Sequence, residues 1–136
     1  MDDAAELAGL TSELGYPSSI ADIERRLPSL LASPEHLVLV GVDVDDRVLA
    51  WLHAVVCCQL ESDVFVEVAG LVVAATHCGR GFGSRLLNQA EQWAMKAGAR
   101  VVRVRSNVLR ESAHGFYVRG GYILAKTSHL FIKALD

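Results

Sequence analysis

The chain has little that would tie it to nucleic acid, to a membrane or to an oxidising compartment. Thirteen Lys and Arg stand against 16 Asp and Glu, a net charge of −3. There is no cationic excess to neutralise phosphates, so nucleic acid is not expected as a partner. Three cysteines in 136 residues, two of them adjacent at Cys57 and Cys58, make neither a disulfide framework nor a CxxC zinc pattern. A reduced, cytoplasmic setting is the expectation. His36, His77 and His129 share no metal-ligand spacing, so no metal is expected. The first residues are acidic and helix-like instead of basic and then apolar, which argues against a signal peptide. The longest uncharged apolar run, Val48 to Leu60, falls short of the ~20 residues that span a bilayer, so no membrane association is expected. Low-complexity tracts and internal repeats are absent as well. What is present, 51% hydrophobic residues, suits one soluble domain over residues 1–136 with a core of its own.

The pattern of apolar residues then lays out the elements. Residues 2–14 place Ala5, Leu7, Ala8 and Leu14 at helical spacing, with acids near the start. Ser19 offers an N-cap for a second helix to Leu30 or Leu31, with Ile20, Ile23, Leu27 and Leu30 on one face, and Pro28 is expected to end or kink it. From His36 the period changes. HLVLVGV, RVLAWLHAVVCC and DVFVEVAGLVVA read as three sequential antiparallel strands, the first two parted by the acidic turn Asp43–Asp46. Leu86, Leu87, Ala90, Trp93, Ala94 and Ala97 mark a firm helix that Gly98 stops. RVVRVRS reads as a strand, ESAHGFYVR as a short helix left by Gly120-Gly121, and YILAKTSHLFIK as a last strand. The order ααβββαβαβ implies an α/β fold with a mixed sheet and helices on its faces.

Between the third strand and the firm helix lies Gly79-Arg80-Gly81-Phe82-Gly83. A P-loop would need lysine followed by Ser or Thr, and this turn has no lysine. A Rossmann fingerprint would space its glycines GxGxxG and end the next strand on an acid; here the spacing is GxGxG and the strand runs Arg103-Val104-Arg105-Ser106. Amides that open a helix lack intrahelical partners and point outward, where the helix dipole favours an anion. A pyrophosphate fits there if no side chain blocks it, and Arg80 adds a charge. A turn that merely lets strand and helix pack closely is the alternative.

The run Leu71-Val72-Val73-Ala74-Ala75-Thr76-His77-Cys78-Gly79-Arg80-Gly81-Phe82-Gly83 resembles the acetyl-coenzyme A motif of the GNAT superfamily of N-acetyltransferases. Ala75 stands where that motif usually has proline, and Cys78 where it has Arg or Gln. A second stretch, AHGFYVRGGY, resembles the family's later motif through Ala113, Phe116, Tyr117, Gly121 and Tyr122. Many members carry asparagine three residues before that alanine; this chain has Arg110 there, and Asn107 just after the preceding strand. More narrowly, SNVLRESAHGFYVRGGY followed by KTSHLFIKAL is similar to small bacterial members of the aminoalkylphosphonate N-acetyltransferase type.

The resemblance implies a GNAT fold and acetyl-coenzyme A as co-substrate. It implies coenzyme contacts at Leu71, Val72, Val73, Gly79, Arg80, Gly81, Gly83, Ser84 and Asn107. Acetyl transfer from a thioester to an amine needs an uncharged amine, a polarised carbonyl and a protonated leaving thiol. By the same likeness, the backbone of Leu71 and Val73 receives the pantetheine arm, with the Leu71 amide facing the developing oxyanion. Gly70 suits the bulge that such a splayed strand requires. Glu67, four residues before Leu71, is the candidate general base, with a solvent-facing strand glutamate as the alternative. Tyr117 is the candidate general acid for the thiolate, with a packing tyrosine as the alternative.

Other residues carry less. His53 reads as a satisfied core histidine, and His114 as a packing or substrate-pocket residue. Cys78 near a helix N-terminus would serve as a nucleophile only in a covalent route, which the resemblance disfavours. Arg103 and Arg105 share one strand face and need partners, either nearby carboxylates or an anionic group of coenzyme or substrate. The family's first strand is missing from the pattern, which would leave a sheet edge for a second subunit to cover in a homodimer. The expected activity is transfer of acetyl to the primary amine of a small molecule. A protein or peptide acceptor, and an inactive acyl-coenzyme A sensor, are the alternatives.

Overall fold

The computed structural model describes residues 3–14, 16–105 and 111–135, which fall into two compact units, Met1–Arg105 and Ser106–Asp136. In the first unit, α1 (Ala4–Leu14) and α2 (Ile20–Ala32) precede β1 (His36–Val42), β2 (Val48–Gln59) and β3 (Ser62–Val73). A 3-10 turn (Ala75–His77), α3 (Phe82–Lys96) and β4 (Val102–Val104) follow; the second unit holds α4 (Glu111–Arg119).

The helices form where caps and periodicity place them. α1 buries Ala4, Leu7, Ala8 and Leu10; Ala5, expected on that stripe, faces solvent. The carboxylate of Glu6 accepts the Val48 amide at 2.7 Å, and that of Glu13 accepts the Ala75 amide at 3.5 Å. These bonds tie α1 to the start of β2 and to the turn after β3. α2 opens with a capping box: Ser19 Oγ accepts the Asp22 amide at 3.0 Å, and Asp22 accepts the Ser19 amide at 3.1 Å. Pro28 does not end α2, which runs past it to Ala32. The missing N–H strands only the Glu24 carbonyl, and both residues lie on an exposed face where water serves that oxygen.

The four strands form one sheet in the order β1-β2-β3-β4. β1–β2 and β2–β3 are antiparallel and β3–β4 is parallel, so the sheet is mixed. Ala50, Leu52 and Ala54 of β2 are fully buried on one face. α3 packs on β2 and β3, and the ring of Phe82 at its start lies against Gly41. α3 contributes Leu86, Leu87, Ala90 and Ala94 to the core. On the other face, Trp51 and Val72 pack with Leu7 and Leu10 of α1 and with Ile23 and Leu27 of α2.

Residues 122–135, expected as a last strand, have no regular structure. Ile123, Leu124, Leu130, Phe131, Ile132 and Leu135 are 84% to 91% exposed. The segment has β propensity, but propensity alone does not make a strand, which exists only through a ladder. No described helix is long and apolar enough to cross a membrane.

Candidate active site

The glycine turn is built on two left-handed residues. Gly79 has φ 82° and Gly81, the N-cap of α3, has φ 84°. That region penalises any residue with a β-carbon, so conformation alone demands glycine at both positions. Space does not. A β-carbon at Gly79 would meet nothing within 4 Å, and one at Gly81 only Arg85 Nε at 3.9 Å. The corner is therefore open, with the first amides of α3 around Gly83 and Ser84 lacking carbonyls one turn back. Arg85, which the motif did not single out, lies at this corner. Its Nε donates to the Gly81 carbonyl at 3.2 Å and an Nη to the Arg80 carbonyl at 3.4 Å, with the guanidinium 5.1 Å from the Phe82 ring centre. Helical spacing from Gly81 was the signal that would have found it. Cys78 is exposed and turns its thiol toward the carbonyls of Val73 and Ala74, at 3.9 and 3.6 Å, so it helps close the turn from below.

The strand leading into that turn changes register once. β3 pairs His53 with Gly70 but Ala54 with Val68, leaving Ala69 as the extra residue of a bulge. The bulge falls on Ala69, and Gly70 beside it has a separate reason to be glycine. The six-membered ring of Trp51 lies 2.5 and 2.6 Å from where its β-carbon would stand. On its far side β3 meets β4 only through Val66, Glu67 and Val68, and the Val66 amide bonds the Val101 carbonyl there at 3.0 Å. In a regular strand residues 68, 70 and 72 would aim their amides the same way. The extra residue shifts that parity, so Leu71 and Val73 aim theirs at the side where, among the described residues, no strand lies. Val72 has the opposite sense, and its side chain is 7% exposed in the core cluster with Leu7 and Leu10.

One end of the same sheet carries most of the polar side chains. Glu67 lies opposite Val55 on β2 and beside Arg103 on β4. Its carboxylate pairs with Arg105 Nε at 3.4 Å and is 27% exposed. Arg103 places its guanidinium 3.7 Å from the Phe65 ring centre, a cation–π contact. Of these arginines, Arg105 thus has the nearby carboxylate that was expected, whereas Arg103 lies on an aromatic face, which was not. Burial, and then the Glu67 charge, push the Cys57 thiol above its ordinary range. His36 and His53 meet on this face at 2.9 Å, Nδ1 to Nε2. His53 is thus hydrogen-bonded, and burial followed by the His36 charge holds it below the usual imidazole range. Trp51 Nε1 is buried with no hydrogen-bond partner among the described residues.

In the second unit, Tyr117 sits near the end of α4, edge-on to Phe116 at 5.1 Å and to Tyr122 at 5.8 Å. Gly121, at φ 92°, turns the chain so that the Tyr122 amide reaches the Tyr117 carbonyl at 3.0 Å. Asn107 and Arg110 lie outside the described residues.

Comparisons with known proteins agree with this architecture. Residues 5–122 match the family described as Acetyltransferase (GNAT) family. Over 70 residues the chain is 44% identical to an aminoalkylphosphonate N-acetyltransferase of Salmonella typhimurium, covering 51% of this chain and only 44% of that protein. Over 133 residues it is 29% identical to the uncharacterised N-acetyltransferase YhdJ of Bacillus subtilis, covering 97% of this chain and 92% of that one. Among solved structures, AAC(6')-Iy in complex with the bisubstrate analog CoA-S-monomethyl-acetylneamine superposes with a TM-score of 0.83. It is 13% identical and covers 98% of this chain and 93% of that one, a likeness of fold.

Proposed function

The chain belongs to the acetyltransferase (GNAT) family, and from that premise we propose that it moves an acetyl group from acetyl-coenzyme A to a primary amine of a small molecule. The observation that carries this reading is the continuity of two stretches of backbone whose outward amides have no partner among the described residues. The open edge of β3 at Leu71 and Val73 runs through the 3-10 turn into the left-handed corner of Gly79 and Gly81. The edge suits the amides of a pantetheine arm as an added strand would, and the corner suits the diphosphate. Of the proposed contacts, Leu71, Val73, Gly79, Gly81, Gly83 and Ser84 act through main-chain groups. Arg80 adds charge, Val72 only fixes the strand, and Asn107 stays a proposal on the motif alone.

The roles follow from charge and protonation. The Leu71 amide meets the carbonyl oxygen as it gains negative charge. Glu67 draws the ammonium and takes its proton, directly or through a water, freeing the nitrogen lone pair for attack. Tyr117, a phenol with a proton to give, protonates the departing thiolate. The relative that acts on aminoalkylphosphonates favours an acceptor with an anionic group, and Arg103 offers a cation on the Glu67 face. The test is thiol release from acetyl-coenzyme A across amines, aminophosphonates, aminoglycosides, polyamines and peptides, beside calorimetric titration with coenzyme A. Binding with release on a small amine supports the reading; absence of binding overturns it.

A further inference from the structure

The sheet face that carries Glu67 also carries a histidine pair that no step above uses. His36 lies opposite Val55 and His53 opposite Val38, so the two are diagonal neighbours across β1 and β2. Their rings stack with centres 5.1 Å apart and planes 22° from parallel, and Nδ1 of His36 stands 2.9 Å from Nε2 of His53. Two neutral imidazoles meet this way only when one facing nitrogen carries a proton and the other does not. That leaves two outer nitrogens, His36 Nε2 and His53 Nδ1, of which one is bare. The bare one can accept a proton. A further proton would set N–H against N–H across the short contact, so the pair takes up one proton as a unit. A proton entering at one outer nitrogen can leave from the other after the middle proton shifts.

The pair is placed where such a path is useful. His53 is opposite Gly70, the residue before the Leu71 amide, and Val55, two residues along β2, is opposite Glu67. Among the described residues of the sheet, the charged and titratable groups on this face include His36 from β1, Cys57 from β2, Glu67 from β3 and Arg103 from β4, with Arg105 just after β4. Glu67 is already engaged by Arg105. Burial, and then the charge of His36 when it is protonated, disfavour the His53 cation.

We propose that the His36–His53 pair is a proton relay that receives the acceptor amine's proton on the Glu67 side of the face and delivers it to solvent. The inference rests on the acetyl-transfer reading. The ammonium N–H bond breaks with its electron pair left on nitrogen, and the proton ends on an imidazole nitrogen. The second proton, lost as the new C–N bond forms, goes to the thiolate released when the C–S bond breaks. Both histidines are positioning residues for proton traffic.

The test is the pH dependence of kcat/KM for the full chain with its best acceptor, in wild type, His36→Gln, His53→Gln and Glu67→Gln. The wild-type acidic limb should belong to the pair. Each histidine variant should lose or shift that limb and lower the rate by ~10²-fold at neutral pH, whereas Glu67→Gln should lower the rate and keep it. An unchanged limb in His36→Gln, whose site is on the edge strand, overturns the relay while leaving acetyl transfer intact. A wild type that releases thiol with no amine overturns the transfer reading and the relay together. Nitrogen-15 imidazole spectra of the wild type give a readout independent of turnover. A single shared proton uptake supports the relay, and two independent titrations overturn it.

Discussion

The indole of Trp51 fills the place of the side chain that Gly70 lacks, with ring carbons 2.5 and 2.6 Å from the would-be β-carbon. The two residues lie on neighbouring strands, next to the bulge that turns Leu71 and Val73 outward. Gly70→Ala should therefore cost about 1–3 kcal/mol of stability, since a rigid ring set in the core cluster cannot yield cheaply. Denaturant unfolding measures the loss. Trp51→Leu placed in the Gly70→Ala chain should recover part of it, and strictly additive losses would show that the two do not meet.

At the glycine corner the constraint is conformational. Gly81→Ala should lose roughly 1–2 kcal/mol through the left-handed backbone and should weaken coenzyme A in calorimetry. Gly81→Asn should be milder, because asparagine tolerates that region. Equal losses for the two variants would mean that bulk, not φ, is limiting.

Arg85 braces the same corner through two carbonyls. Arg85→Ala should reduce coenzyme affinity at least as much as Arg80→Ala, and added salt should narrow the gap between each variant and the wild type. Coenzyme titrations at two ionic strengths decide it. An Arg85→Ala chain that binds as the wild type does would remove the brace.

Cys57 reports on Glu67. Burial and the nearby carboxylate raise its pKa, so at mildly alkaline pH it holds less thiolate than an unperturbed thiol, and alkylation should be slower than at exposed Cys58 and Cys78. Glu67→Gln removes a charge that disfavours the thiolate. The Cys57 pKa should then fall and its alkylation should quicken, as mass spectrometry of labelled peptides can follow. No change in rate would mean that burial alone governs the thiol.

Tyr117→Phe should lower turnover while leaving coenzyme affinity nearly unchanged, the signature of a proton donor. An unchanged kcat would make Tyr117 a packing residue between Phe116 and Tyr122.

Legibility in the sequence followed the range of each interaction. The three antiparallel strands, α3 and the helix around Tyr117 appeared because their periodicity is local, and the matched family confirms the class of fold. The last strand failed for the complementary reason: apolar residues along 122–135 supply propensity, whereas a ladder is a long-range feature that no local pattern specifies. Pro28 does not end its helix, because the carbonyl it strands lies at the surface. Within the site, the glycine turn was visible as residue types at a spacing, and Glu67 was singled out through the family resemblance. Arg85 hid as an ordinary helix residue, and His53 read as a core histidine because nothing local announces its contact with His36.

By itself, then, the order of residues determined the glycine corner and the helix that follows it. A positive φ and a 3.6-residue period are properties of a few consecutive residues. Tertiary structure alone decided which amides of β3 face outward, why residue 70 has no side chain, and that two histidines from separate strands meet at 2.9 Å. Each of those depends on cross-strand register, and the single extra residue at Ala69 resets that register only once the strands are paired.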